Sequence, residues 1–82
     1  MHNLKSPSFD GPGGGSYELN GEEYIELIKL LKAIRIAESG GQAKLIVEDG
    51  LVFRNGEQEF RKRAKLRSGD LIEVFEYKIR VI

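Results

Sequence analysis

From Glu22 to Arg35 the apolar residues fall at Tyr24, Ile25, Leu27, Ile28, Leu30, Leu31, Ala33 and Ile34, leaving a narrow polar stripe through Glu22, Glu26 and Lys29. That spacing predicts a largely buried helix over about 22–35. Asn20, with Glu23 three residues on, supplies a capping signature for its start, and Glu22, Glu23 and Glu26 place negative charge at the positive end of the dipole. After a connection at 36–38, Ser39-Gly40-Gly41-Gln42 repeats the signature, with Ser39 as cap and Gln42 at the third helical position. The second helix carries Ala43, Leu45, Ile46 and Val47 and stops at Gly50, where a left-handed residue ends the helix. Two helices joined by a few residues predict a helical hairpin or helix-turn-helix.

Beyond Gly50 the period becomes two. Leu51 to Arg54 reads as a strand, and Asn55-Gly56 is a strong hairpin signal because both residues accept positive φ. A returning strand is expected around 58–61. Ser68-Gly69-Asp70 punctuates the chain before a strand at 71–75, and 79–82 forms another, joined by a turn that lacks Gly and Pro. A short strand is also expected where Tyr17 and Leu19 alternate with Glu18. Helices first and strands afterwards indicate an α+β domain, a two-helix hairpin followed by a small, mostly antiparallel β-sheet.

The chain has 82 residues, of which 40% are apolar and 32% charged, which suits one small globular domain. Residues 1–16 hold both prolines and four of the ten glycines (Gly11, Gly13, Gly14, Gly15), so they read as a flexible tail ahead of a domain at 17–82. A phosphate loop at Gly11–Gly15 is disfavoured because no Lys-Ser or Lys-Thr follows and no apolar strand precedes it. No apolar stretch approaches the roughly 18 residues of a membrane span. The lack of Cys excludes disulfides and thiolate zinc sites, and the single His2 is poorly placed for catalysis, so no metal, cofactor or enzymatic chemistry is expected. Without an apolar leader the chain is expected in the cytoplasm.

Thirteen Lys plus Arg balance thirteen Asp plus Glu, so only the distribution of charge is informative. Through Phe53 there are five basic and eight acidic residues, net −3; after it there are eight and five, net +3. The cations concentrate in Arg61-Lys62-Arg63-Ala64-Lys65-Leu66-Arg67, five in seven residues with no acid among them. Phosphates would relieve the mutual repulsion in such a run; neutralising about four would give a log–log salt slope of roughly −3 on single-stranded regions. Alternatively the run is a solvated loop that keeps the domain soluble. Gly40 and Gly41 would let a phosphate approach the amides of the second helix, or else permit close helix packing. Lys44 and Arg54 could extend the positive surface. The few aromatic residues are needed for the core, so base stacking is not the expected mode.

Ala37-Glu38-Ser39, Ala43-Lys44-Leu45-Ile46, Gly50-Leu51-Val52-Phe53-Arg54-Asn55-Gly56 and Gly69-Asp70-Leu71-Ile72-Glu73-Val74 occur in the order of a known pattern. Over about 17–82 the chain resembles the RNA-binding domain named after ribosomal small-subunit protein S-four, whose fold is the alpha-L RNA-binding motif. Ser39–Lys44 and Arg61-Lys62-Arg63 look especially like its small stand-alone bacterial members, the YbcJ and YaaA group. The resemblance implies non-catalytic binding of structured RNA, ribosomal or transfer RNA, and through it ribosomal particles, by the second helix and the adjacent β-loop. The residues nominated are Ser39, Gly41, Gln42, Lys44, Arg54, Asn55, Arg61, Lys62, Arg63 and Lys65. Many members have Arg after the Ser where this chain has Gly40, so that contact does not carry over. Arg54 stands where Val is frequent.

Two other classes compete. A protein-interaction adaptor would use the acidic N-terminal half or a free strand edge. A β-grasp carrier is suggested by 66–74, but such carriers need a terminal Gly-Gly and the sequence here ends Arg80-Val81-Ile82.

Overall fold

The computed structural model describes residues 14–82 and the backbone of 8–9. The elements in order are β1 (Ser8–Phe9), β2 (Gly15–Tyr17), β3 (Ile25–Glu26), α1 (Leu27–Ala33), α2 (Gly40–Glu48), β4 (Val52–Arg54), β5 (Glu57–Gln58), β6 (Lys65–Leu66), β7 (Leu71–Val74) and β8 (Tyr77–Val81). Six strands form one sheet in the order β1-β2-β8-β7-β4-β5, while β3 and β6 pair separately. All pairs are antiparallel except β2 with β8, which places Tyr17 beside Val81. The α+β reading with a mostly antiparallel sheet therefore describes the fold. The one parallel pair needs a long crossover, and nearly the whole domain supplies it. The residues of the expected tail other than 8–9 and 14–16 lie outside the described residues, as does the Gly11–Gly13 part of the glycine run.

The first helix is shorter than its periodicity predicts, Leu27–Ala33 rather than 22–35. Asn20 and Gly21 have φ of 55° and 91°, so Asn20 lies in a left-handed turn rather than in the extended conformation of an N-cap. Ile25 and Glu26 pair with Leu66 and Lys65. No side chain caps α1, and no acid lies in its first turn. Its first two amides, Leu27 N and Ile28 N, donate instead to the carbonyls of Ala64 (2.9 Å) and Lys62 (3.0 Å). A tertiary contact thus replaces the local cap and fixes where the helix begins.

The second helix starts and stops where its signals place it. Ser39 Oγ accepts from Gln42 N at 3.1 Å, and Gln42 Oε1 accepts from Glu38 N at 2.6 Å. The reciprocal bond lands one residue before the cap. At the other end Gly50 N donates to Val47 O and Leu51 N to Ile46 O, the paired bonds of a Schellman motif, with Gly50 at φ 76°. A Cβ at Gly50 would lie 2.6 Å from Gln58 Nε2 and 3.2 Å from Phe60, so the φ favours glycine and a side chain there would also displace the Gln58 amide from Gly50 O. Helix α1 ends in the same pair of bonds, Arg35 N to Lys32 O and Ile36 N to Leu31 O, but with Arg35 at φ 65° in the glycine position.

The Asn55-Gly56 turn has φ of 53° and 87°, as a two-residue hairpin with both residues left-handed requires. The returning strand is only Glu57–Gln58, not 58–61, because Glu59 turns its side chain inward and the chain leaves the sheet edge. Strand β8 begins at Tyr77, earlier than expected, because Phe75 adopts φ 55° and makes a tight turn without glycine.

Leu27, Leu30, Leu31 and Ile34 of the α1 region bury one stripe against Ala43, Ile46 and Val47 of α2 and against Val52, Leu66, Ile72, Val74, Ile79 and Val81 of the strands. Each fully buried Leu or Ile contributes about 1.5–3 kcal/mol relative to exposure. Leu45 is 60% exposed, so the inner face of α2 is narrower than its composition suggests. Leu66 on β6 is fully buried although its neighbours Lys65 and Arg67 are exposed, and together with the buried Ala64 it anchors the basic segment to the core.

Candidate nucleic-acid interface

Residues 61–67 form an irregular loop entering β6, docked at the N-terminus of α1. Besides the pairing of Lys65 and Leu66 with Glu26 and Ile25, its backbone is tied at several further points. Lys62 O and Ala64 O accept from the first amides of α1. Arg61 N donates to Glu59 Oε2 (3.0 Å), Lys65 O accepts from Arg54 Nη2 (2.9 Å), and Arg67 N donates to Asp70 Oδ2 (2.8 Å). The like charges of the run are thereby held together rather than left to separate.

Two of the ties run through carboxylates beneath the loop. Glu59, with its side chain 9% exposed, accepts from Arg61 Nε (2.9 Å) and Nη2 (3.1 Å), and Arg54 Nη1 lies 3.6 Å from it. The bonds from the Arg61 side chain hold its carboxyl down at about 2, against 4.5 ordinarily, and outweigh the opposing effect of burial. Asp70, with its side chain 16% exposed, accepts from Arg54 Nη2 (3.0 Å), Asn55 Nδ2 (2.9 Å) and Arg67 N. Burial alone would raise its carboxyl, but the bonds from Arg67 N, Asn55 and Arg54, with the Arg54 charge, keep it below the usual range. Both groups are ionised at neutral pH.

Arg54 therefore bridges two inward carboxylates and a loop carbonyl. The Asn55 amide is engaged at both ends, since its oxygen also accepts from Leu71 N at 2.9 Å. Both residues stand beside the loop but their polar groups are committed within the protein. Arg61 and Arg63 remain 74% and 73% exposed at the side chain; Arg63 Nε is 3.6 Å from Glu26. Lys65 Nζ lies 5.0 Å from the Tyr24 ring centroid and the Arg67 guanidinium 5.5 Å, so Tyr24 gathers two cations on one ring. Among the described residues Lys44 and Lys62 have no ion pair; Lys44 is exposed and Lys62 half-buried.

Ser39, Gly41 and Gln42 come together at the start of α2, with Lys44 one turn on. A Cβ at Gly40 would meet nothing within 4 Å, and one at Gly41 only Ser39 Oγ at 3.9 Å, so helix packing does not require these glycines. Gly50, at the other end of α2, abuts Gln58 and Phe60, which lead into the basic loop. Nine residues at about 1.5 Å each set the two ends of α2 roughly 13 Å apart. The nominated residues thus form two groups, 61–65 with Arg54 and Asn55 at one end and 39–42 at the other, with Lys44 between.

Sequence reasoning missed Glu59, Asp70, Arg67 and Tyr24 as parts of this site. The available signal was an acid two residues before a cationic run and another three residues after it. Tyr24 was absorbed into an expected helix that does not extend that far. Among the described residues no group of three or more His, Cys, Asp or Glu is placed to hold a metal ion, and no helix is long and apolar enough to cross a membrane.

The pattern of the S4 domain family matches residues 17–82, all of the fold from the end of β2 to the end of β8. A protein of Escherichia coli (strain K12) named "Putative RNA-binding protein YbcJ" is 33% identical over 67 residues, which cover 82% of this chain and 96% of that protein. The "Uncharacterized protein YbcJ" of Shigella flexneri is similar to the same extent. With the helical hairpin, the Asn55-Gly56 turn and the Gly69-Asp70 strand all in place along that match, the chain belongs to the S4 domain family, among its YbcJ-like proteins.

Proposed function

We propose that the protein is a non-catalytic module that binds structured RNA, ribosomal or transfer RNA, by its shape and phosphates. The observation that carries this reading is the basic loop, whose backbone is tied to α1, β3, Arg54, Glu59 and Asp70 while the side chains of Arg61 and Arg63 stay largely exposed. In the proposed contact Arg61, Lys62, Arg63 and Lys65 hold phosphates, and Ser39, Gly41, Gln42 and Lys44 meet the backbone at the start of α2. Such contacts set position rather than read sequence. The two groups stand towards opposite ends of α2, a helix of roughly 13 Å, and a folded RNA broad enough to touch both fits that spread better than a short single strand. The name of the Escherichia coli relative points the same way.

The test is RNA binding at several salt concentrations, with bulk ribosomal RNA and transfer RNA, for the wild type and for Arg61→Ala, Lys62→Ala, Arg63→Ala and Lys65→Ala combined. The expected outcome is weaker binding and a log–log salt slope flatter by roughly 3. Unaltered affinity in a variant that circular dichroism shows to be folded removes the mechanism.

A further inference from the structure

We infer that the chain Glu59–Arg54–Asp70 beneath the basic loop is a positioning device for polyanion binding, so that these two carboxylates favour the binding of an anion that their charge alone would oppose. The inference rests on the RNA-binding reading and adds to it the residues that set the geometry of the cations. Glu59 holds the start of the loop through Arg61 N and the Arg61 guanidinium. Asp70 holds its end through Arg67 N, and Arg54 joins the two carboxylates while gripping Lys65 O midway. Asn55 braces Asp70 from the hairpin turn.

Simple electrostatics makes the opposite forecast. An acid beside a cationic patch lowers its positive potential, so neutralising that acid tightens polyanion binding. Here, however, both carboxylates point inward, and their oxygens are taken by donors of the loop and of Arg54. Their removal loosens both ends of the cationic segment, whose middle stays tied to α1 and β3, and lets the side chains of Arg61 and Arg67 spread, so the ligand must order them on binding. The two views differ in sign.

The probes are bulk 16S ribosomal RNA, bulk transfer RNA and heparin, the last as a polyanion that is not RNA. The variants are Asp70→Asn, Arg54→Lys and, as a control for simple loss of negative charge, Glu76→Gln, an exposed acid in the β7–β8 turn. Arg54→Lys keeps the charge but loses the planar fork that spans three acceptors. The expected result is a Kd about tenfold higher for Asp70→Asn and Arg54→Lys at fixed salt. The log–log salt slope stays unchanged because the number of phosphate-facing cations is the same, and Glu76→Gln binds at least as tightly as wild type. Folded Asp70→Asn binding as tightly as wild type, or more tightly, overturns the inference. If Asp70→Asn does not fold, Arg54→Lys decides by the same criterion. If both variants weaken heparin binding but neither RNA binds the wild type, the positioning role stands and the RNA reading falls.

Discussion

Glu59 links fold stability to pH in a way that can be worked out from its surroundings. Its folded carboxyl sits at about 2 against an ordinary 4.5, held by the Arg61 side chain. At about 1.4 kcal/mol per pH unit that gap corresponds to roughly 3 kcal/mol, an upper bound. Because the Arg61 side chain is 74% exposed, solvent screens the pair, and a contribution of about 1–2 kcal/mol is the working figure. The sign follows from the direction of the shift. A carboxyl lowered in the folded state stabilises fully above its unfolded value, here about 4.5, and that stability disappears as the pH falls through about 2. Asp70 is lowered as well and adds to the loss in the same direction. Urea unfolding of wild type and Glu59→Gln, at intervals from pH 7 to pH 2, measures the effect. Glu59→Gln should be less stable by about 1–2 kcal/mol near pH 7, with the gap closing between pH 4.5 and pH 2. Stability curves that stay parallel over that interval refute the assignment of the linkage to Glu59.

Four further variants test the backbone and the core. Phe75 is a 61% exposed aromatic residue at φ 55°, so Phe75→Gly should stabilise by about 0.5–1 kcal/mol in thermal or urea unfolding, as should Arg35→Gly at the end of α1. Gly50→Ala should destabilise by more than about 1 kcal/mol, since φ 76° and the 2.6 Å approach of Gln58 Nε2 both oppose a Cβ; an unchanged urea midpoint would contradict this. Leu66→Ala should cost about 2.7–5 kcal/mol by the same measurement, because Leu66 is fully buried and pins the basic loop to the core.

The features legible in the sequence are those whose cause is local. Ser39 and Gln42 cap α2 because a side-chain oxygen reaches an amide three residues away, and Asn55-Gly56 turns because both residues tolerate positive φ at little cost. In the last strand Ile79 and Val81 alternate with Arg80 and Ile82, and both are buried. Where a local rule met a distant partner, the partner prevailed. The periodicity of 22–35 is helical, yet Ile25 and Glu26 pair with β6 and carbonyls of the basic loop cap the helix start. Arg35 and Phe75 carry no turn signal, and the backbone bonds that end α1 and the pairing of β7 with β8 hold them in a conformation that neither prefers.

The candidate site divides in the same way. Composition and order along the chain determined that five cations lie in seven residues and that two helices precede the mostly antiparallel strands of 52–81, because charge and hydrophobic period are properties of neighbours in sequence. Which cations face solvent, and which polar groups serve the protein itself, was decided by pairings across 11 and 16 positions, Arg54 with Lys65 O and with Asp70. Such partners have no fixed spacing along the chain, and only the folding of the two sheets and the helices together brings their atoms within hydrogen-bond distance.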